Sequence, residues 1–362
     1  MKTAKFSERL FTQSTAGQAI AAAAAGIDPA PTGIQIATPG LLLRSMIAAG
    51  HDRLSLPGHG ATLERWRALA AVAGRDLSLL KLYEGHTDAL AILAEAGALA
   101  LDAPGSAAWG VWCAEPPDAR LSISADPAGG EGAVRISGVK AWCSGAAELS
   151  HALVSGWDAC GRQCLAAVQL HQAGVVVTGE GWNAIGMAAT ASVNVRFEAA
   201  RGQMIGGPGF YTGRPGFWHG GAGIAACWYG AAAALADMLH GKLRQKAPGS
   251  RDPHALAHLG AADVALSAAA GCLRETAQWI DAFPAKDARL PALRARLAVE
   301  KAAGEVIGAA GRAMGAAAFC RDSDSARMLA DLPVFLRQSH AENDLAAVGG
   351  ITLESNASPW IL

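Results

Sequence analysis

An α+β, multi-domain fold is predicted, on three observations. Helical patterns fill residues 1 to about 105 and return from about 208 to the end. Between them lie short alternating segments bounded by turn residues. Hydrophobic residues make up 51% of the chain and charged ones only 17%, the composition of a protein with much buried surface. The 362 residues exceed the roughly 250–300 at which single cores stop growing. The expected domains are therefore 1–105, all helical, 106–207, all β, and 208–362, a helical bundle.

Each element follows in order. The start, MKTAKFSERLFTQSTAGQAIAAAAAG, loosely imitates a secretion signal. Its middle is polar and its apolar run is mostly Ala, so a cytoplasmic protein with reduced cysteines is expected. Asp28–Ala37 reads as a loop by its prolines and glycine. Ala61–Ala73 and Asp88–Leu101 read as helices, with Thr87 or Asp88 as a cap for the second. In the middle zone, Leu121–Ser124, Val134–Ser137 and Val193–Phe197 alternate apolar and polar residues, and Val175–Val177 signals a short buried strand. These suggest a small β-barrel or a sandwich. Beyond it, Ile224–Leu239, His254–Phe283 and Leu293–Met314 are long helix candidates, with a shorter one near Pro333–Val348. Pro248, Pro253, Pro284 and Pro291 fall at the breaks.

Several function classes are excluded or weakened. The net charge is −1, from 30 basic and 31 acidic residues, so neither nucleic acid nor an anionic membrane is an expected partner. The uncharged stretch 215–236 is mostly Gly and Ala and reads as a buried helix rather than a membrane span. The 43 glycines, spread among alanines, suggest closely packed helices. Strands do not alternate with helices, and no G-x-G-x-x-G follows a strand, which argues against a doubly wound nucleotide-binding sheet. The seven cysteines form no Cys-x-x-Cys. His254 and His258 stand one helical turn apart without a third ligand, so no metal is expected.

The chemistry points to Gly138–Ala146. Trp142 and Ser144 lie two apart, so on a strand they share a face. A flat indole beside a hydroxyl suits a planar heteroaromatic ligand, stacked by one and hydrogen-bonded by the other. Upstream stands Trp112-Cys-Ala-Glu-Pro116, and downstream Gly186–Ser192 leads into Val193–Phe197. In this order and spacing the three pieces resemble the acyl-CoA dehydrogenase superfamily. Tyr83–Leu90 resembles an N-terminal helix of one bacterial branch, and Leu332–Leu345 the last bundle helix.

The resemblance implies an N-terminal helical domain, a central β-barrel and a C-terminal four-helix bundle, with FAD in a cleft beside the barrel. Trp142 would pack on the isoalloxazine and Ser144 would bond near its N5. Backbone groups of Cys113 and Ala114 would meet the ring's polar edge, although the family often has Thr where Ala114 stands. Arg244 would reach the FAD pyrophosphate of a neighbouring subunit, in a homodimer or homotetramer. Arg120 falls where the family contacts CoA. The implied reaction is α,β-dehydrogenation of an acyl-CoA or similar thioester, with electrons passed to an electron-transfer flavoprotein. The family's carboxylate base falls at Ala346 or Gly220, and neither bears a carboxylate. His340 and His86 are the replacement candidates, with Glu342 and Asp344 near the first. That gap motivates two alternatives. One is a two-component flavin monooxygenase of the same fold, fed by a flavin reductase, in which a His near the Tyr83–Leu90 helix serves the oxygen chemistry. The other is a non-catalytic relative.

Overall fold

The computed structural model describes residues 38–102, 106–356, 358 and 360. The N-terminal signal-like stretch and the loop reading at Asp28–Ala37 lie outside them. The chain divides into two units. The first combines Ser55–Leu77 with Trp218–Leu362; the second contains Ser78–Phe217 and the segment ending at Leu54.

The second unit holds α1 (Pro39–Ala48), α3 (Leu77–Glu95, from its second residue on) and seven strands: β1 (Trp109–Trp112), β2 (Leu121–Ala125), β3 (Ala133–Cys143), β4 (His151–Trp157), β5 (Gln163–Gln169), β6 (Val175–Val177) and β7 (Val193–Met204). A short α4 (Phe210–Gly213) follows. Pairing runs β4–β2–β3–β7–β5 and returns to β4, so the ladder closes on itself, with β1 added to β4 and β6 to β7. The alternating strands fall where the sequence places them. β1, β4 and β5 carry no polar alternation because β4 and β5 are each buried at five successive positions, which erases the period-two signal.

One helix is shifted from its expected place. The reading Asp88–Leu101 becomes Leu77–Glu95, and Thr87 and Asp88 lie mid-helix rather than at a cap. The polar run Glu84–Asp88 does not start a helix because Thr87 Oγ1 donates back to the Glu84 carbonyl (3.2 Å), a bond compatible with helical backbone.

The first unit contains α2 (Thr62–Ala73), α5 (Gly216–Arg244, from Trp218 on), α6 (Pro253–Ala282), α7 (Arg289–Met314), α8 (Ala316–Cys320), α9 (Ser323–Phe335) and α10 (Glu342–Leu353). The expected helix near 333–348 is two helices joined by a turn at Leu336–Gln338. Pro333 sits inside α9. Close packing is literal in this unit. A Cβ on Gly230 of α5 would lie 2.2 Å from the Ala70 carbonyl oxygen of α2. The open N-terminus of α2 is served by Asp281 from α6, whose carboxylate accepts the Gly60 and Thr62 N–H groups at 3.1 Å each and so satisfies donors a helix start leaves unpaired. Arg296 of α7 stacks 4.9 Å from the Trp228 ring and donates to the carbonyls of Gly221 (2.8 Å) and Gln338 (3.0 Å). Ala222, Ala225, Ala226, Trp228, Ala232 and Leu235 are buried, so stretch 222–236 is intrachain core. Among the described residues two helices, α5 and α6, are long and apolar enough to cross a membrane by length and composition; α5 is mostly buried, whereas α6 leaves most of its apolar window exposed.

Candidate functional site

The site grows from the end of β3. The ladder to β7 slips twice, between Ile136 and Gly138 and between Lys140 and Cys143. At the first slip Gly138 has φ +122°, and a Cβ there would meet the Arg120 carbonyl at 2.4 Å, so the motif glycine is required twice over. At the second slip Trp142 adopts φ +56°, the left-handed region that a bulky residue rarely enters. The bulge turns its indole outward, leaving it 51% exposed. Met187 (φ +58°) and Ala191 (φ +40°) share this strain, and they flank the hydroxyls that face Ser144. Three of the five left-handed non-glycine residues among those described therefore gather in the expected cofactor motifs, where strain persists only if its surroundings hold it.

Ser144 is buried, and its Oγ lies 2.7 Å from Ser192 Oγ. Ser192 in turn is 2.8 Å from Thr190 Oγ1, which donates to the Met187 carbonyl at 2.8 Å. A hydroxyl has one donor and two acceptor sites, so this chain fixes Ser144 and leaves it capacity for a ligand. Trp112 Nε1 donates to the Ser144 carbonyl (3.2 Å), bringing Cys113 and Ala114 beside the Trp142–Ser144 strand end. Ala114 is exposed. Burial pushes the Cys113 thiol up to about 11, against the opposing pull of Lys140, so it stays protonated at neutral pH. Burial, with Cys113 and Asp88 adding to it, raises the Tyr211 phenol well above the usual value.

The motif lysine and glutamate have a role the sequence reading did not assign. Lys140 is fully buried. Its Nζ donates to the Ser155 carbonyl and Oγ at 2.9 Å each and lies 3.4 Å from Glu115 Oε1. Glu115 also accepts from Ser155 Oγ and from Trp157 Nε1, each at 2.6 Å. This clamp ties the loop after β1 to β3 and β4, and so fixes Cys113–Ala114 relative to Trp142. The signal was present as Glu-Pro and Gly-x-Lys, but the partners Ser155 and Trp157 lie on a strand the alternation did not reveal. Arg120 stacks 5.2 Å from the Trp157 ring, on the outside of the same clamp.

His86 belongs to the same unit but not to an open surface. It is fully buried. Its Nδ1 accepts the Trp109 N–H (3.2 Å), which places the ring proton on Nε2, and Nε2 donates to Asp52 Oδ2 (3.2 Å). Both nitrogens are thus engaged, and neither is left for a substrate. Arg53 bridges Asp52 (3.1 Å) and Asp102 (2.9 Å), and Asp102 accepts from Trp109 Nε1 (2.9 Å). The remaining candidates lie on the other unit. Arg244 is the exposed last residue of α5. His340 is exposed, its Nδ1 3.6 Å from Asp344 Oδ1, and its backbone N–H donates to the same carboxylate. Ala346 stands on α10 and Gly220 on α5. Among the described residues no cluster of three His, Cys, Asp or Glu could hold a metal.

A half-exposed indole held out by a bulge, with a fixed hydroxyl two residues on, fits the flat face and polar edge of a flavin. Solved structures supply the comparison. FMN-bound TdsC, a dibenzothiophene monooxygenase from Paenibacillus sp. A11-2, superposes with a TM-score of 0.74 at 19% identity, over 96% of this chain and 98% of that one. Methanesulfinate monooxygenase MsuC from Pseudomonas fluorescens gives 0.74 at 18%, over 99% and 98%. A nitrososynthase from Micromonospora carbonacea var. africana gives 0.76 at 19%, over 98% of each chain. This chain has the acyl-CoA dehydrogenase-like fold. No family model and no curated protein matches its sequence.

Proposed function

We propose that this chain is a flavin-dependent monooxygenase acting on a small molecule, with reduced flavin delivered by a separate reductase. The observation that carries the reading is Trp142, strained and half exposed at a strand end, on a fold shared with an FMN-bound monooxygenase. A reduced flavin held there would supply the two electrons with which O₂ gives one oxygen atom to the substrate, the other leaving as water. The chain's own residues bind and orient it. Trp142 supplies a stacking face, Ser144 a hydroxyl held by Ser192, and the clamped loop at Cys113 and Ala114 meets the polar edge. His86 acts as a strut between α3, β1 and Asp52. His340 is the exposed base candidate.

FMN is the flavin proposed. FAD is the alternative, and Arg244 would then reach the pyrophosphate of a neighbouring subunit's FAD, since a guanidinium suits a diphosphate. Acyl-thioester dehydrogenation ranks behind, because Ala346 and Gly220 offer no carboxylate to remove the α-proton. The division into an N-terminal helical domain, a barrel and a four-helix bundle at 105 and 207 is kept as a proposal, as are a cytoplasmic location and a homodimer or homotetramer. For association, α6 offers an outward stripe of Ala257, Gly260, Ala261, Val264 and Ala268, all exposed.

The test couples the protein to a flavin reductase and measures O₂ uptake against product. The panel holds a thiophene, an alkanesulfinate, an amino sugar nucleotide and acyl-CoA esters. Oxygenated product from a non-thioester, with FMN binding quenched by Trp142→Ala, is expected. Reduction of bound flavin by an acyl-CoA without oxygen incorporation would overturn the reading.

A further inference from the structure

The strand unit carries a depression far from Trp142. Arg135 of β3 lines it, and Trp142 lies seven residues on, roughly 20 Å along an extended strand. Its volume is about 720 Å³, within the roughly 300–1,000 Å³ of small-molecule sites. Its lining includes the apolar Leu101, Val168 and Trp109, the last two buried. The Trp109 ring is 4.7 Å from that of His151, at 34°. His151 Nδ1 lies 2.9 Å from Ser150 Oγ, so Nε2 is the ring's other hydrogen-bonding atom.

Two arginines line the rim, and no Asp or Glu does. Arg135 is divided, with Nε 2.8 Å from Asp126 and Nη1 donating to the Ala199 carbonyl at 3.1 Å. The Arg201 guanidinium has no acidic partner among the described residues. Its backbone is held instead, as Gln172 donates to the Arg201 carbonyl (2.9 Å) and accepts its N–H (3.0 Å). The strand is strained beside it. Ala199, another lining residue, has φ +51°, across from the register slip between Ile136 and Gly138. Such bulges re-aim a strand and cluster near sites.

We propose that this depression binds an organic phosphate of mononucleotide size. The phosphate sits at Arg201 with help from Arg135, and the heteroaromatic part lies against the His151 ring, which packs on the buried Trp109. A phosphate dianion matches two guanidiniums in a lining without carboxylates, and the half-buried His151 ring offers an aromatic partner beside them.

The experiment uses the full-length chain with AMP and inorganic phosphate as probes, followed by calorimetry at low and high salt. AMP is expected to bind at least about tenfold more tightly than inorganic phosphate, and to weaken with salt. Arg201→Gln should weaken AMP binding at least about tenfold without changing the melting temperature, and Trp142→Ala should leave it unaltered. Photolabelling of the unmutated chain with 8-azido-AMP should mark peptides carrying Trp109 or His151. AMP affinity equal to that of phosphate, indifference to Arg201→Gln, loss with Trp142→Ala, or labelling elsewhere would overturn the site. None of these outcomes bears on turnover, so the flavin reading stands or falls separately.

Discussion

Trp142 combines a conformational cost with an exposed apolar ring. The left-handed conformation of a non-glycine costs roughly 1–3 kcal/mol, and half of the indole is left in water. Trp142→Gly is expected to be more stable than Trp142→Ala by about 1 kcal/mol in urea melts, while both lose flavin affinity by roughly 5- to 100-fold, the usual worth of a stacked ring. Equal stability of the two variants would remove the strain argument. His151 gives a pH prediction. Burial lowers its pKa below the ordinary 6.5, partly countered by Asp102 and reinforced by His171. The fold therefore favours the neutral ring. Stability is full above about pH 6.5, falls as pH drops from there toward the folded value, and levels off below it. His151→Gln should flatten that acid-side slope in melting temperature against pH. At this scale the sequence was informative about identity and silent about conformation. Trp142 and Ser144 were legible as candidates for a ligand pair. The positive φ was not, because it arises from the ladder slip between two strands distant in sequence. His86 shows the opposite limit, since a histidine in a recognisable motif gave no sign that Asp52 and the Trp109 amide would occupy both its nitrogens.

At the scale of elements, the Glu115–Lys140 clamp makes the most direct claim. Removing one partner leaves a buried charge uncompensated, so Lys140→Met should cost about 3–5 kcal/mol in denaturant melts. The double variant Lys140→Met with Glu115→Leu should recover part of that loss, which a simple packing defect would not. Gly230→Ala is expected to destabilise by about 1–3 kcal/mol, because its Cβ would meet the Ala70 backbone rather than a movable side chain; a neutral result would mean α2 can slide away from α5. The helices of the second half were readable from periodicity and proline breaks. The fully buried strands β4 and β5 were not, because burial on both faces removes the alternation that reveals a strand.

For the whole molecule, α6 sets the expectation. Ala255, Ala262, Ala269 and Thr276 are buried at a seven-residue spacing, a narrow seam that satisfies only one side of the helix. The other side keeps Val264 71% exposed along the Ala/Gly stripe. Val264→Lys is expected to shift the protein toward smaller species in sedimentation analysis; a wild-type monomer at working concentration would remove this prediction. The element order was visible as helices, strands, helices. What composition could not show is that α2 joins the C-terminal helices while the chain between them builds the other unit. This has a consequence during synthesis. The strand unit has all its described parts once Phe217 has left the ribosome, whereas α2, made long before, waits with its packing face bare until α5 arrives. A polypeptide stalled midway would thus present one finished body and one sticky orphan helix, a natural target for chaperones.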